Sequence, residues 1–334
     1  MKIAIIDNYI SNEFVKEMTG EPIKSYHVID GCCLPYQDSS KSLSHGSVCA
    51  AIMVEFSPQV EHIGISVASN SQDDFSIPNI CLALDWCYKN QIQYICMSIG
   101  TNNWLGARPM QAVTKALSES GSTLICAVSP ERELTYPACY PWVIAVSYEE
   151  ECKYIMQNSV SCSTYDVVVG YFHSETLRKL SQHDNFFLKR SSSMAVPFFL
   201  GQLIKSIDIS ALPYEYPHKK ALSFDYARCT TPIVSVVHEN INKIKEFNLL
   251  LQNCGYMSAL ISKRLNMDWT QLNVRVNDES EITIALNAVR NANIILFDAD
   301  GLPDGIGSIW DLTIDLCTYS FGEALTSICN FFNA

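Results

Sequence analysis

Short apolar runs and longer periodic segments alternate along the first two-thirds of the chain. Residues 2–6, 23–29, 61–68, 93–100, 122–128 and 165–170 read as strands, each a few residues of nearly unbroken apolar character. A strand with no polar alternation is covered on both faces, as in a parallel sheet. Between them, 12–18, 45–53, 77–89, 109–119 and 193–204 read as helices; in the third of these, Ile80, Leu84 and Cys87 share one face at three- and four-residue spacings. Alternation of this kind predicts an α/β fold, a doubly wound, mostly parallel sheet. After Lys205 the pattern breaks. Residues 208–224 are polar and punctuated by Pro213 and Pro217, as in a linker or a wrapping arm. Strands at 232–238, 256–262 and 293–298 then alternate with helices at 241–254, 279–292 and 320–332. These three βα units predict a smaller three-layer α/β domain. The expected organisation is a first domain over 1–207, a linker or arm over 208–228, and a small α/β domain of unknown role over 229–334.

Composition narrows the class without changing this picture. The 334 residues are 48% hydrophobic and 17% charged, which describes a well-buried globular chain. A formal net charge of −12, with no Lys/Arg cluster, argues against a nucleic-acid partner. No apolar run reaches membrane-spanning length, and 2–7 is too short for the core of a signal peptide. Of the 14 cysteines, Cys49, Cys81, Cys87, Cys96 and Cys126 fall inside apolar periodic segments, where a free thiol serves as a small hydrophobe. A reducing, cytoplasmic location is expected. No C-x-x-C pair and neither common phosphate-binding glycine motif is present, so no metal and no cofactor are expected. Asp298, Asp300 and Asp304 flank two glycines after a strand, and read as solvated turn carboxylates rather than cation ligands.

Three positions carry candidate chemistry. Ser191-Ser192-Ser193 opens the apolar segment Met194–Ile204. A serine there caps a helix in the plain reading; as a nucleophile, it would lie beside a positive dipole end and free N–H donors, which suits an oxyanion. His45 begins another apolar helix, with Ser44 before it as cap. Asp7 ends the first strand, where open α/β sheets place their sites, although Asp-Asn also begins an ordinary turn.

The stretch Ser191-Ser192-Ser193-Met194-Ala195-Val196-Pro197 resembles the nucleophile motif of subtilisin-like serine peptidases (subtilases), usually Gly-Thr-Ser-Met-Ala-x-Pro. His45-Gly46-Ser47-Val48-Cys49-Ala50 resembles their His-Gly-Thr-x-Val-Ala, and Met97-Ser98-Ile99-Gly100 their substrate-binding strand. With the strand ending in Asp7 and the Tyr136-Pro137-Ala138 segment, the likeness covers about residues 2–206 in the expected order. It implies Asp7, His45 and Ser193 as a catalytic triad, and Ser98, Ile99 and Gly100 as backbone partners of a bound peptide. Two departures stand out. Asn8-Tyr9 replaces the usual turn after the aspartate, and Pro130 stands where the family carries an oxyanion-binding asparagine. Ser192, Ser129, Asn102 and Asn103 are the candidates to replace that donor.

The resemblance implies a serine endopeptidase acting on a peptide or protein substrate. With Asp7 so close to the first residue there is no room for a preceding prodomain. Restraint is therefore expected from weak intrinsic activity or a narrow substrate, such as the leader of a modified peptide. The alternative is a degenerate subtilase that binds peptides, or scaffolds a partner, without cleaving. The last domain leaves room for a homo-oligomer or another partner.

Overall fold

The structure is a computed structural model and describes residues 1–37, 41–68, 75–131, 133–158, 163–183, 190–205, 208–215, 231–301 and 311–333. The chain divides into two compact units. One comprises Met1–Glu131, Thr135–Ser159 and Thr164–Glu215; the other comprises Tyr216–Ala334 with two short segments, Arg132–Leu134 and Val160–Ser163.

The first unit runs β1 (Lys2–Asp7), α1 (Asn12–Thr19), β2 (Lys24–Ile29), β3 (Cys32–Pro35), α2 (His45–Phe56), β4 (Glu61–Ser66), α3 (Ile77–Lys89) and β5 (Tyr94–Met97). It continues through α4 (Trp104–Glu119), β6 (Thr123–Ala127), β7 (Val143–Tyr148), β8 (Ile155–Asn158), β9 (Val167–Val169), α5 (Glu175–His183), α6 (Ser192–Ile204) and β10 (Tyr214–Glu215). Among the described residues its sheet has the order β10-β8-β9-β7-β6-β5-β1-β4-β2-β3. Among the described residues only the β2–β3 and β8–β9 pairs are antiparallel. After β1 the chain winds towards β2 and β4, and after β5 towards β6 and β7. The switch therefore falls between β1 and β5, where ligands of doubly wound sheets bind, outside the carboxyl ends of the strands.

Two nearly all-apolar helices, α2 and α6, pack together against this sheet. Val48, Cys49, Ile52 and Met53 of α2 share one core with Ala195, Val196, Phe199 and Leu200 of α6. A helix apolar all round is a buried helix. Gly201 lets the two approach closely: a Cβ there would lie 2.5 Å from Phe56 Cβ and 2.8 Å from the Phe56 carbonyl oxygen.

Two expected boundaries move. Helix α4 begins at Trp104 instead of 109, because the Asn103 side chain caps it by accepting from the Gly106 N–H at 2.9 Å; Pro109 falls in its second turn. Part of the expected arm belongs to the sheet, since Tyr214 and Glu215 pair in parallel with Gln157 and Asn158 of β8. Ile209–Ala211 of that arm form a single 3-10 turn, and 216–228 lie outside the described residues.

The second unit runs β11 (Ile233–Val237), α7 (Ile241–Asn253), β12 (Ser258–Ser262), β13 (Asn273–Arg275), α8 (Glu279–Ala288), β14 (Ile294–Asp298), β15 (Leu312–Asp315) and α9 (Phe321–Asn333). Its sheet is parallel throughout, in the order β13-β12-β14-β11-β15. The apolar pattern predicts three of these five strands. The other two, β13 and β15, are three and four residues long and too brief to show a period. The core is the apolar body of β11, β12 and β14 with Ile244, Phe247 and Leu251 of α7.

Candidate active site

Asp7, His45 and Ser193 meet at the switch point of the first sheet. Asp7 ends β1, is fully buried, and accepts the Asn8 N–H at 2.8 Å on Oδ1. Asn8 also accepts the Tyr9 N–H at 2.7 Å on its own side chain, so the unusual Asn8-Tyr9 turn closes around the carboxylate. His45 opens α2. Ser44 caps that helix by accepting from the Ser47 N–H at 3.1 Å, and donates to the Tyr9 carbonyl at 2.7 Å. The helix start is thereby tied to the loop after β1. Gly46 permits this approach, because a Cβ there would sit 2.5 Å from the Tyr9 oxygen and 2.7 Å from Asp7 Cβ.

His45 Nδ1 lies 3.1 Å from each Asp7 carboxylate oxygen, and Nε2 lies 2.8 Å from Ser193 Oγ. A proton on Nδ1, held by Asp7, leaves the Nε2 lone pair facing the serine hydroxyl. The imidazole is partly open, with 37% of its side-chain surface exposed. Its pKa is raised above 6.5, first by the electrostatic influence of the neighbouring Cys49 sulfur; burial opposes this, and the Asp7 hydrogen bond adds to it.

Ser193 sits in the first turn of α6, where no preceding helical carbonyl reaches its N–H. Its carbonyl is fixed from the other side, by the Ser98 hydroxyl at 2.9 Å and the Cys49 thiol at 3.5 Å. Ser98 follows β5, with Ile99 buried and Gly100 half-buried beside it. Thr101 then forms an isolated antiparallel bridge with Tyr136.

Three of the four candidate oxyanion donors hold hydrogen bonds to other groups. The Ser192 hydroxyl is buried and accepts from the Tyr148 N–H at 3.3 Å. Ser129 donates to Glu131 Oε2 at 2.7 Å. Asn103 caps α4 with its side-chain oxygen, and Asn102 precedes it in the same turn. Pro130 has no N–H and no polar side chain to give. Sequence reasoning missed Ser191 in this context: its hydroxyl lies 2.7 Å from Ser193 Oγ. Nothing in the local pattern separates such a serine from an ordinary helix cap.

The Asp7, His45 and Cys49 ligand atoms lie within 4.8 Å of one another, a mixed donor set for a thiophilic cation. In the second unit Asp298 is fully buried and accepts from Ser262 Oγ at 2.5 Å and Arg264 Nε at 2.8 Å, with His238 Nε2 at 3.0 Å. Burial pushes its pKa up, but the Arg264 and Ser262 hydrogen bonds outweigh that and hold it below the usual range. Asp304 lies outside the described residues. Among those described, no helix is long and apolar enough to cross a membrane.

A hydroxyl, an imidazole and a carboxylate in hydrogen-bonded line is an arrangement that recurs among serine hydrolases of unrelated folds. The Subtilase family model matches residues 1–225. The chain belongs to the subtilase family and is a serine protease. Solved structures similar to it include the prenylagaramide maturation protease PagA (16% identity, 60% of this chain and 73% of that one, TM-score 0.40). A lanthipeptide protease (15%, 60% and 71%, TM-score 0.43) and a cold-adapted subtilisin-like serine proteinase (18%, 61% and 76%, TM-score 0.43) are also similar. A comparison with curated proteins finds no match.

Proposed function

We propose that the protein is a serine endopeptidase in which Asp7, His45 and Ser193 act as the catalytic triad. The observation that carries this is the continuous hydrogen-bonded line from Asp7 through both ring nitrogens of His45 to Ser193 Oγ. Ser193 Oγ attacks a peptide carbonyl while His45 Nε2 takes its proton and then delivers it to the leaving amine. Asp7 keeps the proton on Nδ1 and stabilises the imidazolium. The backbone of Ser98, Ile99 and Gly100 aligns the substrate as an added strand. The Ser193 N–H, at the positive end of α6, receives the oxyanion.

The substrate we propose is one specific peptide, such as the leader of a modified peptide. Pro130 supports this, because it removes the family's usual oxyanion asparagine and so sets this site apart from that of a general digestive subtilase. A reducing compartment such as the cytoplasm is part of the same reading, supported by Cys49, Cys87, Cys96 and Cys126, which are buried as free thiols. Pro130 also motivates the second reading, a peptide-binding subtilase that does not cleave. A fluorophosphonate probe separates the two. Wild-type protein is expected to take one label per chain and Ser193→Ala none; unlabelled wild type would favour the binding protein.

A further inference from the structure

Most helix starts in this protein are built alike. The capping side chains before α1, α2, α3, α4, α7 and α8 each accept from a backbone N–H two or three residues on. Ser191, before α6, has the same extended backbone (φ −145°, ψ 168°), yet its side chain makes no capping bond. Its carbonyl still starts the helix, accepting from Met194 at 3.1 Å and Ala195 at 3.0 Å. The hydroxyl has left its ordinary task and lies 2.7 Å from Ser193 Oγ.

The direction of that bond follows from the protons around it. With Nδ1–H given to Asp7, His45 Nε2 is an acceptor, so the Ser193 hydroxyl donates to it across 2.8 Å. Ser193 Oγ is then left with lone pairs only, and Ser191 must be the donor. When Ser193 attacks, the new Oγ–C bond forms, the Oγ proton passes to Nε2, and the carbonyl π pair moves onto oxygen. That oxygen is two bonds from Oγ. A hydroxyl already poised against Oγ reaches it by turning about its own Cβ–Oγ bond. When the adduct collapses, the pair returns to carbon, the C–N bond breaks, and the imidazolium gives its proton to the amine. An oxyanion needs converging donors. The Ser193 N–H is one, Pro130 offers none, and Ser129 gives its proton to Glu131; the Ser192 and Asn103 oxygens are held by the Tyr148 and Gly106 N–H groups, whereas Ser191 Oγ lies against the nucleophile itself.

We infer that Ser191 is a catalytic residue whose hydroxyl supplies the side-chain donor of the oxyanion hole. This rests on Ser193 being the nucleophile, and the test keeps the two claims apart. The full chain is reacted with a fluorophosphonate–rhodamine probe, whose phosphonyl oxygen takes the oxyanion's place, and both the rate and the final stoichiometry are read. Ser191→Ala is expected to lower the maximal phosphonylation rate on the order of 10²-fold. Half-saturating probe concentration, final labelling of one per chain, and the pH midpoint of the reaction should all stay at their wild-type values. Ser191→Thr keeps the hydroxyl and should recover most of the rate, which a purely structural role would not predict. Wild-type speed in Ser191→Ala, or a Thr variant as slow as Ala, overturns the assignment while leaving Ser193 intact. Absence of label on the wild type overturns the nucleophile and this inference together.

Discussion

Each unit of this protein carries a histidine against a buried aspartate at the carboxyl ends of parallel strands, and the two pairs are built for opposite ends. His45 is 37% exposed and meets Asp7 through Nδ1 alone, leaving Nε2 for Ser193. His238 is buried and meets Asp298 through Nε2, while its Nδ1 has no hydrogen-bond partner among the described residues. Asp7 has spare acceptor capacity for the histidine. Asp298 is saturated by Ser262 and by both sides of the Arg264 guanidinium. A His–Asp pair is thus no signature of catalysis by itself. What separates the two is a serine hydroxyl on the far ring nitrogen and the exposure of the imidazole; without them the same pair is part of an ion-pair network with Arg264.

The sharpest way to break this contrast is to remove the shared element from each pair. Asp7→Asn should cost on the order of 10⁴ in kcat while the fold persists, because the amide favours the wrong imidazole tautomer; steady-state kinetics beside a thermal melt checks both halves. Asp298→Asn should do the reverse. Removing one partner of a fully buried charge pair typically costs ~3–5 kcal/mol; Arg264 is 37% exposed, so denaturant unfolding should show a loss below that range, with the rate per folded molecule unchanged. A loss of kcat in the folded fraction of Asp298→Asn would end the comparison.

Next in size is the pH dependence. The base form of His45 exists only above its pKa, and that pKa is raised. kcat/KM should therefore climb with pH through a midpoint above 6.5. Cys49→Ala removes the first cause of the shift and should move the midpoint to lower pH. An unmoved midpoint would mean that the sulfur, 3.8 Å from Nε2, does not set the titration.

The smallest effect is expected at Ser192. Its hydroxyl accepts one backbone N–H from Tyr148, and losing a single neutral hydrogen bond typically costs ~0.5–1.5 kcal/mol. Ser192→Ala should lower stability by about that much and leave kcat within a few-fold of wild type. A kcat loss on the order of 10²-fold, of the size asked of Ser191, would move the oxyanion donor one residue along.

Much of this molecule could be read from its residues alone. Unbroken apolar strands alternating with helices dictated the doubly wound sheet, since backbone strands free of polar alternation must be covered on both faces. The motifs around Asp7, His45 and Ser193 carried the family resemblance in chain order, because each depends on local chemistry at a strand end or helix start. The strands β13 and β15 were not legible, being too short for a period to emerge. Only the tertiary structure decided which serine faces which partner. Ser191, Ser192 and Ser193 are neighbours of one residue type, yet the turn into α6 sends one hydroxyl to β7 and sets the other two against each other. It also decided that Asp7 and His45, 38 positions apart, and His45 and Ser193, 148 apart, meet within hydrogen-bond distance. Side-chain direction at a helix start is set by packing against elements distant in sequence, and a local pattern holds no record of it.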